Sequence, residues 1–388
     1  MSEIKVNSIK GVGASAAAIT VNNSDGTCTA NLTNKPNRNL IINGAMNVAQ
    51  RGTSSTGNGY GSVDRFSVLS SGTNEAPTHA QADVASGTTP YTLGFRKALK
   101  ITNGNQTSGA GAADRIRIMH TIEAQDIANS GWNYKSASSY ITLSFWVKSS
   151  VAQNFYGFLL SLDGTSYNYP FETGSLTADT WTKVTKIIPG DSNITFNNDN
   201  GAGLTLFFYL YLGTTYANNS VSLNAWKTIA NPQTPTNTTT WFTTNDSTLE
   251  MTGLQIEVGP VVTPFEHRSF GDELARCHRY FFKWSSSMAY SNFSLGYASS
   301  ATVVETVYQL PVIMRANPSL TTSGTFRLVG YSGSAGQDSS NLSSITVHRS
   351  HTRSPYIRAV ASGLSAGLIG EFGDSGSNNA TMSFSAEL

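Results

Sequence analysis

The segment of residues 249–259 constrains the fold more than any other stretch of this 388-residue chain. Apolar side chains occupy alternate positions along it: Leu249, Met251, Leu254, Ile256 and Val258. A period of two predicts a β-strand with one buried face. The alternation slips by one position at Gly253, and one extra residue in a strand predicts a β-bulge. A turn at Gly259 and Pro260 ends the segment, so we expect it to be one strand of a larger sheet.

Similar short apolar runs recur along the chain, separated by turns rich in glycine and asparagine. In the central part they lie at residues 63–69, 115–122, 140–147, 155–162, 181–188 and 204–212. Further on they lie at residues 294–297, 302–310, 324–329, 344–347, 356–360 and 380–388. Many short strands with almost no helical periodicity predict an all-β fold. We therefore expect a jelly-roll β-sandwich at residues 38–268 and a second, smaller β domain at residues 287–388.

One amphipathic helix is expected between these domains, within a linking segment at residues 269–286. Over residues 271–284 the apolar side chains follow a helical spacing of three, four and three: Leu274, Cys277, Phe281 and Trp284. That stripe predicts a helix with one apolar face. The face could pack onto its own sandwich or meet two sister chains around a three-fold axis. Its position between two β domains favours the second interpretation.

Residues 1–37 are small and polar, and they are too few to form a core of their own. We interpret them as an extended arm that becomes ordered on a partner or on a sister chain. The start of the sequence lacks the apolar run of a secretory signal. No run approaches the roughly 20 apolar residues of a membrane-spanning helix, so we expect no membrane insertion.

Charged residues make up 13% of the chain, about half of the roughly 25% that is usual in soluble domains. The 25 cationic and 24 acidic residues leave a net charge of +1. A protein that binds duplex nucleic acid needs a basic surface to displace counterions, so we expect no nucleic-acid partner. The two cysteines, Cys28 and Cys277, are far apart in the sequence, and we interpret them as free thiols.

The sequence shows no arrangement typical of a catalytic centre. Six acidic residues are available for a glycosidase pair: Asp163, Glu172, Glu250, Glu257, Glu266 and Glu305. A glycosidase needs two carboxylates several ångströms apart in one groove, and the spacing of these residues indicates no such pair. His348 and His351 are three positions apart and no Cys-x-x-Cys pair occurs, so we also predict no zinc site. We expect a non-enzymatic protein, with a polysaccharide depolymerase as the alternative.

Aromatic and basic side chains in predicted loops and strand ends are better candidates for function. Sugars stack their apolar ring faces on aromatic rings while polar groups bind their hydroxyls. The glycan-binding candidates are Trp241, Tyr290, Tyr297, Tyr331 and Tyr356, together with a basic cluster of His348, Arg349, His351 and Arg353 that Arg358 extends. The cluster suits an acidic polysaccharide or the phosphate of a lipopolysaccharide, and a solvated loop is the alternative. Trp146 and Trp181 lie in strands, and we interpret them as core.

Several motifs together resemble a family of bacteriophage tail proteins over roughly residues 38–284. They are residues 39–44 (NLIING), 50–52 (QRG), 63–66 (VDRF), 142–149 (TLSFWVKS), 252–259 (TGLQIEVG), 263–268 (TPFEHR) and 273–280 (ELARCHRY). Residues 311–318 (PVIMRANP) are similar to a stretch in the distal domains of such fibres. Each motif is short, and their order and spacing make the resemblance specific.

The resemblance implies a virion tail fibre or tail-tip receptor-binding protein, usually a homotrimer. Residues 1–37 would then attach it to other tail proteins, and its far end would bind a host polysaccharide or lipopolysaccharide. Related sugar-binding sandwiches carry a structural calcium ion, for which Asn43, Asp64 and Glu257 are the candidate ligands. A plain hydrogen-bonded seam at these residues is favoured, so no cofactor is expected. A tail adaptor or capsid decoration protein that never touches the host is a further alternative.

Overall fold

The structure is a computed structural model of the chain, and it describes residues 7–10, 12, 19–21, 24, 28–30, 36–331 and 337–388. Within the predicted arm, three short strands pair antiparallel in the order β1 (Ser8–Ile9), β2 (Ile19–Val21) and β3 (Cys28–Ala30). The remainder of the arm falls largely outside the described residues. Its role in virion attachment stays a prediction.

Residues 54–258 form the predicted β-sandwich. Its elements are β4 (Ser54–Ser55), β5 (Ser67–Ser71), β6 (Thr78–Asp83), α1 (Thr89–Thr92), β7 (Lys97–Thr102), β8 (Arg115–Glu123), α2 (Ala124–Ala128), β9 (Tyr140–Ser149), β10 (Asn154–Ser161), β11 (Tyr167–Ser175), β12 (Thr182–Pro189), β13 (Ala202–Leu212), β14 (Lys227–Thr228), α3 (Thr240–Thr243) and β15 (Thr248–Val258). They build two six-stranded antiparallel sheets, in the orders β14-β11-β10-β13-β8-β5 and β12-β9-β15-β7-β6-β4. The all-β, jelly-roll prediction is confirmed.

Alternating apolar side chains explain how the two sheets pack. On β9 the side chains of Ile141, Leu143, Phe145 and Val147 point into the main core, because alternate residues of a strand share one face. On β13 the outward side chains are also buried. Tyr216, Ala217 and Ile229, from the segment after β13, pack over that face in a small second core that contains Phe158 and Phe207.

The predicted bulge on β15 is confirmed. Pairing between β15 and β9 shifts between Thr252 and Gln255, and Gly253 between them has a φ of 65°. A side chain at this position would place its Cβ 2.6 Å from the ring of Phe95. Glycine is therefore required here both by the left-handed backbone and by the close approach of an aromatic ring.

The second domain follows helix α4 (Phe270–His278), and its described elements are all strands. They are β16 (Phe281–Ser285), β17 (Asn292–Ser300), β18 (Val303–Val307), β19 (Ser319–Ser323), β20 (Phe326–Tyr331), β21 (Gln337–Arg349), β22 (Tyr356–Val360), β23 (Ile369–Asp374) and β24 (Thr381–Ser385). Six strands close into a barrel in the order β17-β18-β22-β21-β20-β23, and β16-β24-β19 form a three-stranded sheet beside it. Among the described residues, no helix is long and apolar enough to cross a membrane.

The linking helix is shorter than predicted, and the apolar stripe is not a single helical face. The helix ends at His278, whereas Phe281 and Trp284 lie on β16, where Trp284 pairs with Met382 of β24. The sequence spacing fitted a helix. The pairing with a strand about one hundred residues later determines the structure instead, and it moves the start of the second domain to residue 281.

A buried cluster of charges joins the sandwich to the second domain. Glu387 forms ion pairs with Arg65 and, at 3.1 Å, with Arg51 of the sandwich. The guanidinium of Arg65 lies 3.4 Å from the centre of the Tyr280 ring, and that of Arg51 lies 3.5 Å from the centre of the Phe281 ring. Arg65 is only 1% exposed, so its charge depends on its protein partner rather than on water.

A second contact supports the first from the end of the helix. Arg279 donates two hydrogen bonds of 2.7 Å to the carboxylate of Glu123, which is fully buried at the end of β8. We call the two contacts together the junction, formed by Arg51, Arg65, Glu123, Arg279, Tyr280, Phe281 and Glu387. It fixes the second domain against one end of the sandwich.

Replacing Glu387 with glutamine should lower the free energy of unfolding by about 3 kcal/mol, because the buried guanidinium of Arg65 loses its counter-ion. Glu371→Gln is the matched control, since Glu371 is exposed and has no ion-pair partner among the described residues. Chemical denaturation of both variants measures the effect. Equal stability of Glu387→Gln and the unaltered protein would contradict a structural role for the junction.

Candidate glycan-binding surface

The outer face of the barrel brings aromatic, apolar and charged side chains together. Strand register places Tyr297 opposite Glu305, and Glu305 opposite Arg358. Two residues further along β18, Val307 lies opposite Tyr356. Directly paired residues project from the same side of a sheet, as do residues two positions apart. We define the barrel face as Leu295, Tyr297, Glu305, Val307, Tyr356, Arg358 and Ile369.

The barrel face is unusually apolar for an exposed sheet. Leu295 is 71% exposed, Ile369 65%, Val307 50% and Tyr297 46%. With Tyr356 and Glu305, these four side chains line a shallow groove of about 340 Å³. A continuous patch of large apolar side chains that remains exposed to water usually marks a site where a ligand or partner binds.

A charged pair lies within this apolar surface. Arg358 donates hydrogen bonds of 2.9 and 2.6 Å to one oxygen of Glu305. A hydrogen bond from Tyr356, with those from Arg358, lowers the pKa of Glu305, and the same bond to Glu305 raises the pKa of Tyr356. The centre of the barrel face is therefore an ionised but internally neutralised pair. Flat rings beside fixed donors and acceptors are the chemistry that binds a sugar ring and its hydroxyls.

Two further predicted residues lie at the margin of the barrel face. Arg349 is opposite Tyr356 on β21, with its guanidinium 5.8 Å from the centre of the Tyr356 ring. The His348 ring lies 5.7 Å from the same ring. Both side chains are exposed. The structure thus brings together Tyr297, His348, Arg349 and Tyr356 from the sequence-based candidates.

His351 and Arg353 lie in the turn between β21 and β22, beyond the barrel face. The Nδ1 atom of His351 accepts hydrogen bonds from the backbone N–H groups of Arg353 and Ser354, at 3.2 and 3.3 Å. His351 therefore orders the turn. Both side chains are exposed, so the predicted basic cluster is spread over a strand end and a turn rather than gathered in one pocket.

Tyr290 belongs to a different surface, at the end of the barrel. It is 56% exposed, and the guanidinium of Arg327 lies 4.3 Å from the centre of its ring. Its backbone N–H donates to the buried carboxylate of Asp374, which also accepts from four amides in residues 376–380. Tyr331 ends β20, and its side chain is outside what the structure describes.

Trp241 is not at the surface, and its prediction as a glycan-binding residue is wrong. It is fully buried in the sandwich core beside Phe242, on the one-turn helix α3. Its indole N–H donates to the carbonyl of Thr248 at 3.0 Å. The surrounding segment has the polar composition of an exposed loop, so the sequence gives no sign that Trp241 and Phe242 are buried in the core.

The trimer-helix candidates also pack within their own chain. Cys277 and Phe281 are buried, Leu274 is half-buried, and Trp284 lies edge-on to Phe293 of the barrel at 5.4 Å between ring centres. The four residues are therefore not one helical face, because Phe281 and Trp284 lie on β16, and Cys277 and Phe281 are covered by their own chain. The homotrimer itself stays a prediction.

The proposed seam residues are engaged by protein groups. Asn43 donates to the carbonyls of Val48 and Asp64 at 2.9 Å each, and Glu257 accepts from the backbone N–H of Thr263 at 2.8 Å. In the part of the chain that the structure describes, no three His, Cys, Asp or Glu side chains form a metal-binding cluster. These hydrogen bonds describe the seam itself, and the absence of a structural calcium ion stays a prediction.

Trp146 and Trp181 are half-buried and lie outside the main core, where they pack against a smaller apolar cluster of Ala45, Val84, Phe95 and Ala98. Their interpretation as core holds only for this smaller cluster on the outer face of the second sheet. The alternation of β9 shows why. Since Phe145 and Val147 point inward, Trp146 and Lys148 must point outward.

No protein-family model and no curated protein matches the chain. Among solved structures, the enzymatically active domain of tailspike protein 4 from bacteriophage CBA120 matches with 10% identity and a TM-score of 0.30, over 58% of this chain and 22% of that chain. A putative sugar-binding protein from Bacteroides thetaiotaomicron matches with 12% identity and a TM-score of 0.31, over 57% and 100% of the two chains. The N-terminal cellulose-binding domain of Cellulomonas fimi β-1,4-glucanase C matches with 10% identity and a TM-score of 0.26, over 55% and 99%.

The amides around Asp374 predict an acid-sensitive barrel. Burial alone would raise the pKa of Asp374, but the backbone amides of Asn378, Gly376 and Tyr290 donate to it and lower the pKa to about 2. Because this lies below the ordinary value of 3.8, the carboxylate stabilises the fold above about pH 4, and that contribution is lost as the pH falls toward 2. Asp374→Asn should be less stable at neutral pH and should lack this part of the acid dependence. Unfolding free energies measured across that range test it, and parallel curves for the two proteins would contradict it.

Proposed function

We propose that the chain is the subunit of a homotrimeric, non-enzymatic bacteriophage tail fibre. Its N-terminal residues 1–37 attach it to other virion tail proteins, and its C-terminal barrel adsorbs to a glycan on the host cell surface. The barrel face carries the proposal, because it exposes large apolar and aromatic side chains around a fixed ion pair. The order of motifs that resembles phage tail proteins supports the placement in a virion.

The chemistry of the barrel face fits adhesion better than hydrolysis. A glycosidase needs one carboxylic acid that keeps its proton near neutral pH. Glu305 is the opposite case, because Tyr356 and Arg358 hold its carboxylate in the ionised form and lower its pKa. An ion pair of this kind can donate to and accept from sugar hydroxyls without chemical change.

The groove is shallow, and a single site of this kind binds a sugar weakly. Three copies on one fibre would engage a repetitive polysaccharide together, and linked sites gain avidity without any new contact. A fibre can therefore adsorb to a surface of repeating sugar units even if each barrel face binds only weakly. The low charge of the chain suits this role, since neutral polar contacts depend little on salt.

Replacing Tyr297 and Tyr356 together with alanine should reduce binding to a host polysaccharide by at least about tenfold, because each stacked ring contributes on the order of 1 kcal/mol. The measurement is binding of the purified protein to an array of bacterial surface polysaccharides and lipopolysaccharides. Ile313→Ala is the matched control, an exposed apolar residue of the same domain that lies outside the barrel face.

Retention of full binding by the double variant would rule out the barrel face as the receptor site. Release of reducing ends from a bound polysaccharide would support the depolymerase alternative. Binding to no polysaccharide on the array would favour a tail adaptor or decoration protein. Thermal unfolding of each variant excludes loss of the fold as the cause.

A further inference from the structure

A second cavity lies in the other domain, on the outer face of the sandwich sheet that contains β9. Trp146 and Ser144 project from β9 into it, and Lys183 of the edge strand β12 lies directly opposite Trp146. Residues 262–267 pass over the sheet and form the facing wall. We call this cavity the sheet pocket; its volume is about 400 Å³, within the range of roughly 300–1,000 Å³ typical of small-ligand sites.

The walls of the sheet pocket are fixed aromatic rings. Phe265 packs edge-on against the buried ring of Phe95, with 4.9 Å between their centres, and His267 lies 5.0 Å from Phe265. His267 is held in turn by a 2.9 Å hydrogen bond between its Nε2 atom and the carbonyl of Leu93. A rigid wall costs little entropy when a flat ligand binds against it.

Two polar groups in the sheet pocket have no hydrogen-bond partner among the described residues. Ser144 is only 4% exposed, yet its hydroxyl makes no hydrogen bond to any described residue. The indole N–H of Trp146 is also without a partner among the described residues. The indoles of Trp132, Trp226 and Trp241 donate to carbonyls at 2.8 to 3.2 Å, whereas the half-buried Trp181 and Trp284 resemble Trp146 in having no partner among the described residues.

The charge in the sheet pocket is also unpaired. Lys148, which lies nearby on β9, forms an ion pair of 2.9 Å with the carboxylate of Glu250. Lys183 has no acidic partner within ion-pair distance among the described residues, and no acid lines the pocket. The pocket therefore offers aromatic walls, free donors and one free cation, but no anion.

We propose that the sheet pocket binds an acidic pyranose, that is, a sugar ring carrying a carboxylate. The ring would stack on Trp146, its hydroxyls would meet Ser144 and the indole N–H, and its carboxylate would pair with Lys183. A neutral sugar would leave the ammonium without a counter-ion, so the pocket favours uronic acid residues. The sheet pocket is separate from the barrel face, so either site can exist without the other.

Calorimetric titration of the full chain with methyl glycosides of glucuronic and galacturonic acid, and of glucose and galactose, tests the proposal. At least one uronide should bind more tightly than its neutral counterpart. Lys183→Gln should weaken uronide binding by roughly tenfold and abolish the preference, since one charge-assisted contact is lost. Lys186→Gln is the matched control, because Lys186 lies on the same strand but, opposite Leu143, on the other side of the sheet.

Three results would overturn the proposal: no binding of either uronide, equal weakening by the two lysine variants, or unaltered binding by Lys183→Gln. Trp146→Phe, which keeps an aromatic wall but removes the N–H donor, should weaken both uronide and neutral sugar. The Tyr297 and Tyr356 double variant should leave uronide binding intact. If that variant alone abolishes binding, the sugar sits on the barrel face, and the sheet pocket is excluded while the proposed function stands.

Discussion

Arg65 and Glu387 form an ion pair that is almost fully shielded from water. The packing of the second domain against the sandwich depends on that pair. Neither charge could remain buried alone, since an isolated ion loses several kcal/mol of solvation. Tyr280 supports the pair by stacking under the guanidinium of Arg65. The barrel, with its exposed apolar face, is therefore carried on a rigid base and presented at a fixed place relative to the sandwich.

The motifs that resemble phage tail proteins converge on this junction and on the seam beside it. The residues concerned include Asn39, Asn43, Arg51, Asp64, Arg65, Glu266, Arg268, Glu273 and Arg279, which bond to one another or to nearby backbone groups. These motif residues therefore stabilise the fold and the contact between the two domains. The barrel face lies outside these motifs, whereas the sheet pocket is lined in part by residues of three of them, 142–149, 252–259 and 263–268.

The parts of the fold that follow from local pattern could be predicted from the sequence. The strands β8, β9 and β15 alternate, β13 is a continuous apolar run, and the bulge at Gly253 shows as a slip in the alternation of β15. Long-range pairing could not be predicted. Residues 281–285 become a strand only because β24 lies beside them. Trp241 is buried because one helical turn inside a polar loop reaches the core. Glu305 and Arg358 are 53 positions apart, so their ion pair at the centre of the barrel face could not be predicted from the sequence. The flanking residues Tyr297 and Tyr356 could be predicted as candidates.

The sheets themselves give little reason for the chain to trimerise. The barrel has no free edge, and two outer strands of the sandwich, β4 and β14, are only two residues long. The homotrimer in our account rests on avidity, because shallow sugar sites need several copies to hold a cell surface. Light scattering of the purified full chain tests this most directly. The account predicts a particle with three times the mass of one chain, and a stably folded monomer would contradict it.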